Sequence, residues 1–515
     1  MTSTTRCLAI CEIQRNILHQ LDCWDDLSAY RRVTYNVALT CKTLSATALD
    51  ELWNTITGLR PLFDLLPDDV FEKETHGDHH HFVLRRFPWP KDWTIFEKYS
   101  SRVRELDVSS QDFCTRETEL KILNLFGLLR KSVAPRLRVL NWTARHVLYV
   151  NHFVGPSLKT VIVNFTGWGK NEDDQASGLI ANLIHLSPAL VNLVLAEDFG
   201  TRISGALAML EPTSWSKLRV LCLESYVSPQ IVPTLGNLPA LETMEIRFID
   251  DEEHHSPNTT SSKSLFPRLT SLQLSAASLT SIPTQLLLGP GNAPRLIELT
   301  LYMTDDVPVA SSLRECFATL LSRRLGLTRI TILAPPMRRL SPQTVQDRAT
   351  LGTIEPLFAL KGLSDLTVSL PFTLDNAALL SIAEVWPSME VLNLVGQDQP
   401  YNRTDVTLGG LAHFVAKCPS LRHLTLNFDA SDAESAWASC EYKPCPQLCE
   451  FDVGASRILD THATAGFINN MFPSAELVEP VRERFWERPD DPKGAVYRKR
   501  WRSVAGLLST FSVAT

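Results

Sequence analysis

Three thiols stand close in the sequence, Cys440, Cys445 and Cys449, and thiolates at such distances can hold a metal ion. Structural zinc sites use tetrahedral sets, typically built from C-x2-C pairs. The spacing here is of another kind, so ordinary buried thiols are expected. Gly167-Trp168-Gly169-Lys170 has the small residues and the lysine of a phosphate-cradling loop. That motif also needs Gly at 164 and Ser or Thr at 171, and both places hold Asn. No nucleophile elbow G-x-S-x-G, no H-E-x-x-H and no G-x-G-x-x-G occurs. His76 with His79-His80-His81, and His254-His255, lie in acidic, Pro- or Gly-containing stretches that read as exposed loops. Tyr497-Arg498-Lys499-Arg500-Trp501-Arg502 fits either a nuclear import signal or the exposed face of a final helix. These residues predict no catalytic group, no metal and no cofactor. They point to a protein that binds.

Composition narrows what it binds. The 515 residues are 44% hydrophobic and 21% charged, with a formal net charge of −7. That balance suits a folded, soluble chain and argues against a nucleic-acid coat. No run of 18 apolar residues is present, so no membrane span is expected. Met1 to Ala9 lack the features of a signal peptide. The 11 cysteines are then expected to be reduced, in the cytoplasm and/or nucleus. The Asn-x-Ser/Thr matches at Asn141, Asn164, Asn258 and Asn402 read as chance.

The elements that must position a binding surface repeat along the chain. Pro188-Ala-Leu190-Val-Asn-Leu193-Val-Leu195 shares its lettering with segments opening at Pro267, Pro294 and Pro419. Looser copies have their first apolar residue at Val103, Leu137, Leu158, Leu218, Leu241, Leu327, Leu363, Met389 and Leu448, a mean period of about 29 residues. That is the length and lettering of a leucine-rich repeat. Each copy predicts a short strand with alternate residues turned inward. Helical spacing between copies, as at Leu313, Phe317, Leu320 and Leu321 or Leu408, Leu411, Phe414 and Val415, predicts helices packed behind the strands. The Asn or Cys usual three residues after the last strand Leu is replaced by Arg145, Thr166, Asp198, Tyr226, Ile249 and Asp429, so no asparagine ladder is expected. Residues 250–264 and 335–351 read as loop insertions.

Residues 7–53 lack the repeat. Ile10, Ile13, Ile17 and Leu21 are spaced as one apolar helix face, and Asp25-Asp26-Leu27-Ser28 can start a second helix. A third run holds Val37, Cys41, Leu44, Ala48, Leu52 and Trp53. The fold class is thus α/β: a short all-α module at 7–53, a linking segment at 54–100, a solenoid at 101–455 with a parallel β inner face and outer helices, and a C-terminal cap at 456–515. Leu8 to Ile13, Ile17 to Asp22, Ala38 to Leu44 and Ala48 to Trp53 together resemble an F-box, with Cys11 where that family usually has Pro. Leu59 to Pro67 is similar to F-box proteins of mushroom-forming fungi, which also carry irregular leucine-rich repeats. The resemblance implies a substrate-recognition adaptor of a Skp–cullin–F-box ubiquitin ligase. Its partners would be a Skp-type adaptor, through it a cullin, and a target protein held by the repeats. By position the adaptor-docking residues would be Ile10, Cys11, Glu12, Ile13, Ile17, Leu21, Leu27 and Cys41, although each also fits the module's own core. A repeat scaffold whose first helices only cap the array is the other reading.

If each copy is a strand, its outward residues form a concave face. Val139, Ile162, Val194 and Val220 supply apolar anchors there, and Glu245, Glu298, Asp365, Glu450 and Asp452 make the rest acidic. A target segment with apolar residues and basic flanks would fit both.

Overall fold

The computed structural model describes residues 10–20, 27–40, 42–76, 79–108, 126, 132–143, 147–164, 173–196, 203–211, 213–248, 264–276, 279, 292–304, 309–321, 326–334, 349–370, 372–394, 404–431, 433–438, 444–454, 456–478 and 492–513. Two compact units divide the chain, Met1–Leu241 and Glu242–Thr515. Both are α/β and solenoid-like: parallel strands lie side by side in chain order, and each connection returns to start the next strand beside the last.

In the first unit the strands are β1 (Thr55–Thr57), β2 (Glu105–Val108), β3 (Val139–Trp142), β4 (Thr160–Asn164), β5 (Asn192–Ala196) and β6 (Val220–Val227). The second holds β7 (Thr243–Phe248), β8 (Ser271–Ala276), β9 (Glu298–Met303), β10 (Arg329–Leu333), β11 (Asp365–Val368), β12 (Val391–Asn393), β13 (His423–Thr425), β14 (Glu450–Asp452) and β15 (Glu476–Val478). Every strand from β2 to β14 opens two residues after a first apolar residue of the repeat. Those residues, from Val103 to Leu448, are at most 2% exposed. Burial then alternates along the strand, as in β4 and β5, because Val161, Val163, Leu193 and Leu195 enter the core while their neighbours face solvent. The expected helices are present as Ala310–Leu321 and Leu408–Lys417, with Leu313, Phe317, Leu411 and Phe414 fully buried.

The ladder overruns both expected boundaries. β1 lies inside the segment read as a linker, and β15 lies beyond residue 455. Neither carries the second inward apolar residue of the repeat, whose place is held by Gly58 and Glu479. Residues 54–100 are a packed part of the first unit. They contain helices Arg60–Phe63 and Trp93–Ser100 and a hairpin of Phe71–His76 with His79–Leu84. Phe63, Trp93 and Phe96 stack around Phe126 at centroid distances of 5.4 to 6.4 Å. Arg86 ties the segment by bridging Asp69 (2.7 Å) and Asp92 (2.8 Å), and it holds both carboxyls below their ordinary range. His79-His80-His81, read as an exposed loop, runs along a hairpin strand because Phe82 and Val83 continue its extended pattern. The final helix Pro492–Val513 is not merely a surface element. Trp501 is buried in it and donates its Nε1–H to the Ser456 carbonyl at 2.8 Å. Among the described residues no helix is long and apolar enough to cross a membrane.

What replaces an asparagine ladder is a position three residues before the first apolar residue of the repeat. Coils stacked this way bury turn carbonyls, and side chains at this position add a donor beside the backbone N–H groups that Gly155, Leu183, Leu360 and Trp386 already accept. Ser187 Oγ donates to Gly155 O (3.1 Å), Trp215 Nε1 to Leu183 O (3.2 Å) and Trp386 Nε1 to Leu360 O (2.8 Å). Cys418 Sγ lies 3.7 Å from Trp386 O, and Cys445 Sγ 4.0 Å from Leu421 O. The same position takes positive φ at Trp215 (46°), Phe266 (58°) and Ala293 (45°), which marks it as the corner where the chain turns into the next strand.

Three helices form the N-terminal module: α1 (Cys11–Gln20), α2 (Leu27–Thr40) and α3 (Lys42–Leu52). Its core is Leu18, Ala38 and Ala48, with Val37, Leu49 and Leu52 packed against them. The expected third apolar run is split, Val37 ending up on α2 and Leu44 to Leu52 on α3. Gln14 is buried on α1 and takes a hydrogen bond from the Thr47 hydroxyl of α3. The module is stitched to the ladder's start through Arg31 Nη2 to Thr55 O (3.2 Å) and an ion pair between Asp50 and Arg102.

Candidate protein-binding surfaces

On α1 the inward positions are Gln14 and Leu18, so the apolar stripe points elsewhere. Ile10 is 46% exposed and Ile17 45% exposed, Ile13 is half-buried, and Glu12 is exposed. The reason is geometric. A buried amide satisfied by Thr47 fixes the rotation of the helix, and the isoleucines fall on the flank of that contact. Val33, Tyr35 and Leu39 of α2 are exposed as well, Leu39 to 68%. Cys11 opens α1 and Leu27 opens α2, but their side chains, with Leu21 and Cys41, lie outside the described residues.

On the strands, registry sorts the outward residues into rows. Val139, Thr160, Asn192 and Val220 form one row of the first unit, and Asn141, Ile162, Val194 and Cys222 the next. All are half-buried, lying on the sheet with their tips toward solvent. In the second unit one row runs Gln273, Thr300, Thr331, Thr367, Asn393, Thr425 and Asp452. Glu245 opens that row and hydrogen-bonds Gln273. The row beside it is charged. Glu298 pairs with Arg329, His423 Nδ1 lies 3.0 Å from Glu450, and the Ser271 hydroxyl is 3.4 Å from Glu298. Asp365 is half-buried between the strands of Arg329 and Val391, and its Oδ1 is buried without a partner. Burial pushes this carboxyl above its ordinary range, against the pull of Arg329 and His423.

The nine residues expected to make a target surface divide between the two units. Val139, Ile162, Val194 and Val220 belong to the first unit. Glu245, Glu298, Asp365, Glu450 and Asp452 belong to the second, where Asp452 accepts from Gly454 N (2.8 Å) and caps a tight turn. Sequence reasoning also missed an open cavity of about 400 Å³ whose lining includes Thr404, Asp405, Thr407, Leu408, Asp429 and Ser431. Its walls come from separate segments, of which Asp429 is tied to Ser431 and to Arg457 (3.6 Å).

Other sites raised by sequence are dispersed. Cys445 is buried and Cys449 exposed, while Cys440, Gly167 to Lys170 and His254-His255 lie outside the described residues. Among the described residues no group of His, Cys, Asp or Glu is arranged to hold a metal ion. No model of a known protein family matches the chain, and no curated protein matches it.

Proposed function

We propose that this protein is the substrate-recognition adaptor of a Skp–cullin–F-box ubiquitin ligase, acting in the cytoplasm and/or nucleus. In this reading α1 to α3 are the F-box, and the strands are leucine-rich repeats that hold a target. The observation that carries it is the apolar surface of the module: Ile10, Ile17 and Leu39 remain exposed although the module has a core of its own. Each such side chain contributes roughly 1.5–3 kcal/mol when a partner covers it. The protein would supply no chemistry. It would hold a target close to a charged conjugating enzyme and so raise its effective concentration.

The test is calorimetric titration of the full chain with a purified Skp adaptor, beside an I10D/I17D variant. Both residues are exposed, so the variant keeps its helical circular dichroism. Binding by the wild type and a loss of at least tenfold in the variant, about 1.4 kcal/mol, is the expected result. Absence of wild-type binding would leave a scaffold whose first helices cap the ladder, a role that the contacts from Arg31 to Thr55 and from Asp50 to Arg102 also suit.

A further inference from the structure

The strand-start border of the first unit carries a row of cations. Arg138 N donates to Arg104 O (2.7 Å), Lys159 N to Arg138 O (2.8 Å), and Val191 N to Lys159 O (2.7 Å). Arg104, Arg138 and Lys159 thus occupy one position, just before the first outward residue, on the approaches to β2, β3 and β4. Adjacent strands lie about 4.8 Å apart, so the three fall within about 10 Å. Arg136 joins them, its carbonyl accepting from Arg104 Nη1 at 3.4 Å. Arg136, Arg138 and Lys159 are exposed, and among the described residues none of the four is ion-paired. Burial, then Arg138 and Arg136, hold the Arg104 guanidinium below its ordinary range against the pull of Asp50. The same position in the second unit holds Glu242, Thr270, Ile297, Thr328, Ser364 and Glu390 before a cation recurs at Arg422. In a chain of net charge −7 this row is a local reversal of sign.

The row borders the apolar positions Val139, Ile162, Val194 and Val220. We infer that this face docks an extended segment of a partner protein that carries aliphatic side chains and Asp or Glu. The aliphatic groups would lie on Ile162 and Val194, with the carboxylates on Arg138, Lys159 and Arg104. Charge complementarity chooses the occupant. A nucleic acid fits less well, because the face offers aliphatic groups where single strands need aromatic platforms. Its evenly charged backbone would also have to pass Glu105 and Asp107 on β2, whereas a peptide places its charges selectively. The expected basic flank of a target is thus replaced, on this unit, by an acidic one. This inference rests on the reading of the strand faces as a target surface and not on the docking of α1.

The test uses fluorescence anisotropy with the full chain and labelled dodecapeptides. One alternates Glu with Leu and Val, a second has Lys for Glu, and a third has Ser for Leu and Val. A single-stranded oligothymidine is the fourth probe. The Glu peptide with aliphatic residues should bind about tenfold tighter than the others at low salt and weaken as salt rises. R138E/K159E, with both changes at exposed side chains, should abolish that preference, and V194D should weaken binding of the same peptide. Equal binding of the Lys peptide, indifference to salt or to charge reversal, or a preference for oligothymidine would overturn the inference. Adaptor binding measured on the same samples separates the two proposals. Its absence with the peptide preference intact defeats the ligase reading alone, and R138E/K159E should retain it.

Discussion

The two units are built on one internal rule and present different chemistry outside. In both, apolar residues two apart enter the core, and a buried first apolar residue precedes every strand from β2 to β14. Outward positions of the first unit include the aliphatic Val139, Ile162, Val194 and Val220 among Asn141, Thr160 and Asn192, bordered by Arg138 and Lys159. The second unit shows Thr300, Thr331, Thr367, Asn393 and Thr425 in one row, and Glu298, Arg329, Asp365, His423 and Glu450 in the row beside it. Strand pairing constrains the backbone and the inward residues alone, so the outward ones are free to differ. Aliphatic positions can contribute hydrophobic energy to a partner, whereas hydroxyl and charged rows, satisfied in part by one another, mainly discriminate between partners.

The strongest way to break the comparison is to damage each core in turn. Leu193 of β5 and Leu392 of β12 are both fully buried. L193A and L392A should each cost about 2–5 kcal/mol, from lost burial and the cavity left behind. If the units respond separately, hydrogen exchange should rise over β4 to β6 for the first variant and over β11 to β13 for the second. Exchange that rises equally in both units for either variant would mean that the inside of the molecule acts as one body, leaving the contrast to the surface alone.

That inside was the legible part of the sequence. All strands from β2 to β14 were visible because an inward Leu every second residue has no other explanation over so many copies. β1 and β15 were not, since Ile56 or Leu477 alone makes no pattern. α1 was readable as a helix, but its rotation was not: the spacing grouped Ile10, Ile13 and Ile17 on one face and left open whether that face met a partner or the module's core, and a buried Gln14 bonded to Thr47 turns Ile10 and Ile17 out. A hydrogen bond between residues 33 apart leaves no periodic trace. The surfaces were listed residue by residue, yet the grouping of Arg104, Arg138 and Lys159 needed the registry that only the paired backbone supplies.

The corner donors sharpen the comparison at a smaller scale. Trp215 serves this role in the first unit and Trp386 in the second, at 3.2 and 2.8 Å from their carbonyls. Replacement by Phe keeps most of the apolar burial and removes the side-chain donor, leaving Leu183 O and Leu360 O with their backbone partners Ser187 N and Leu363 N alone. W386F should cost about 0.5–1.5 kcal/mol in urea unfolding, and W215F less because its bond is longer. Equal and negligible losses would show that the backbone partners suffice, and that the corners are held by packing.

The smallest effect asks whether the charges of the second unit serve the fold. Asp365 is half-buried with an unpartnered Oδ1, and burial raises its pKa in spite of Arg329 and His423. A carboxyl with a raised folded pKa binds its proton more tightly when folded, so folding with it ionised carries a cost. That cost is fully present above the raised value, shrinks as pH falls through it, and is gone below the ordinary carboxylate range. D365N should therefore raise the melting temperature at neutral pH by about 1 °C and leave it unchanged in acid, where both residues are neutral. A fall at neutral pH would mean that the attraction of Arg329 and His423 outweighs desolvation, and that this row stabilises the unit. A rise would mean that the carboxylate is kept at a cost to stability, as expected of a group whose use lies at the surface.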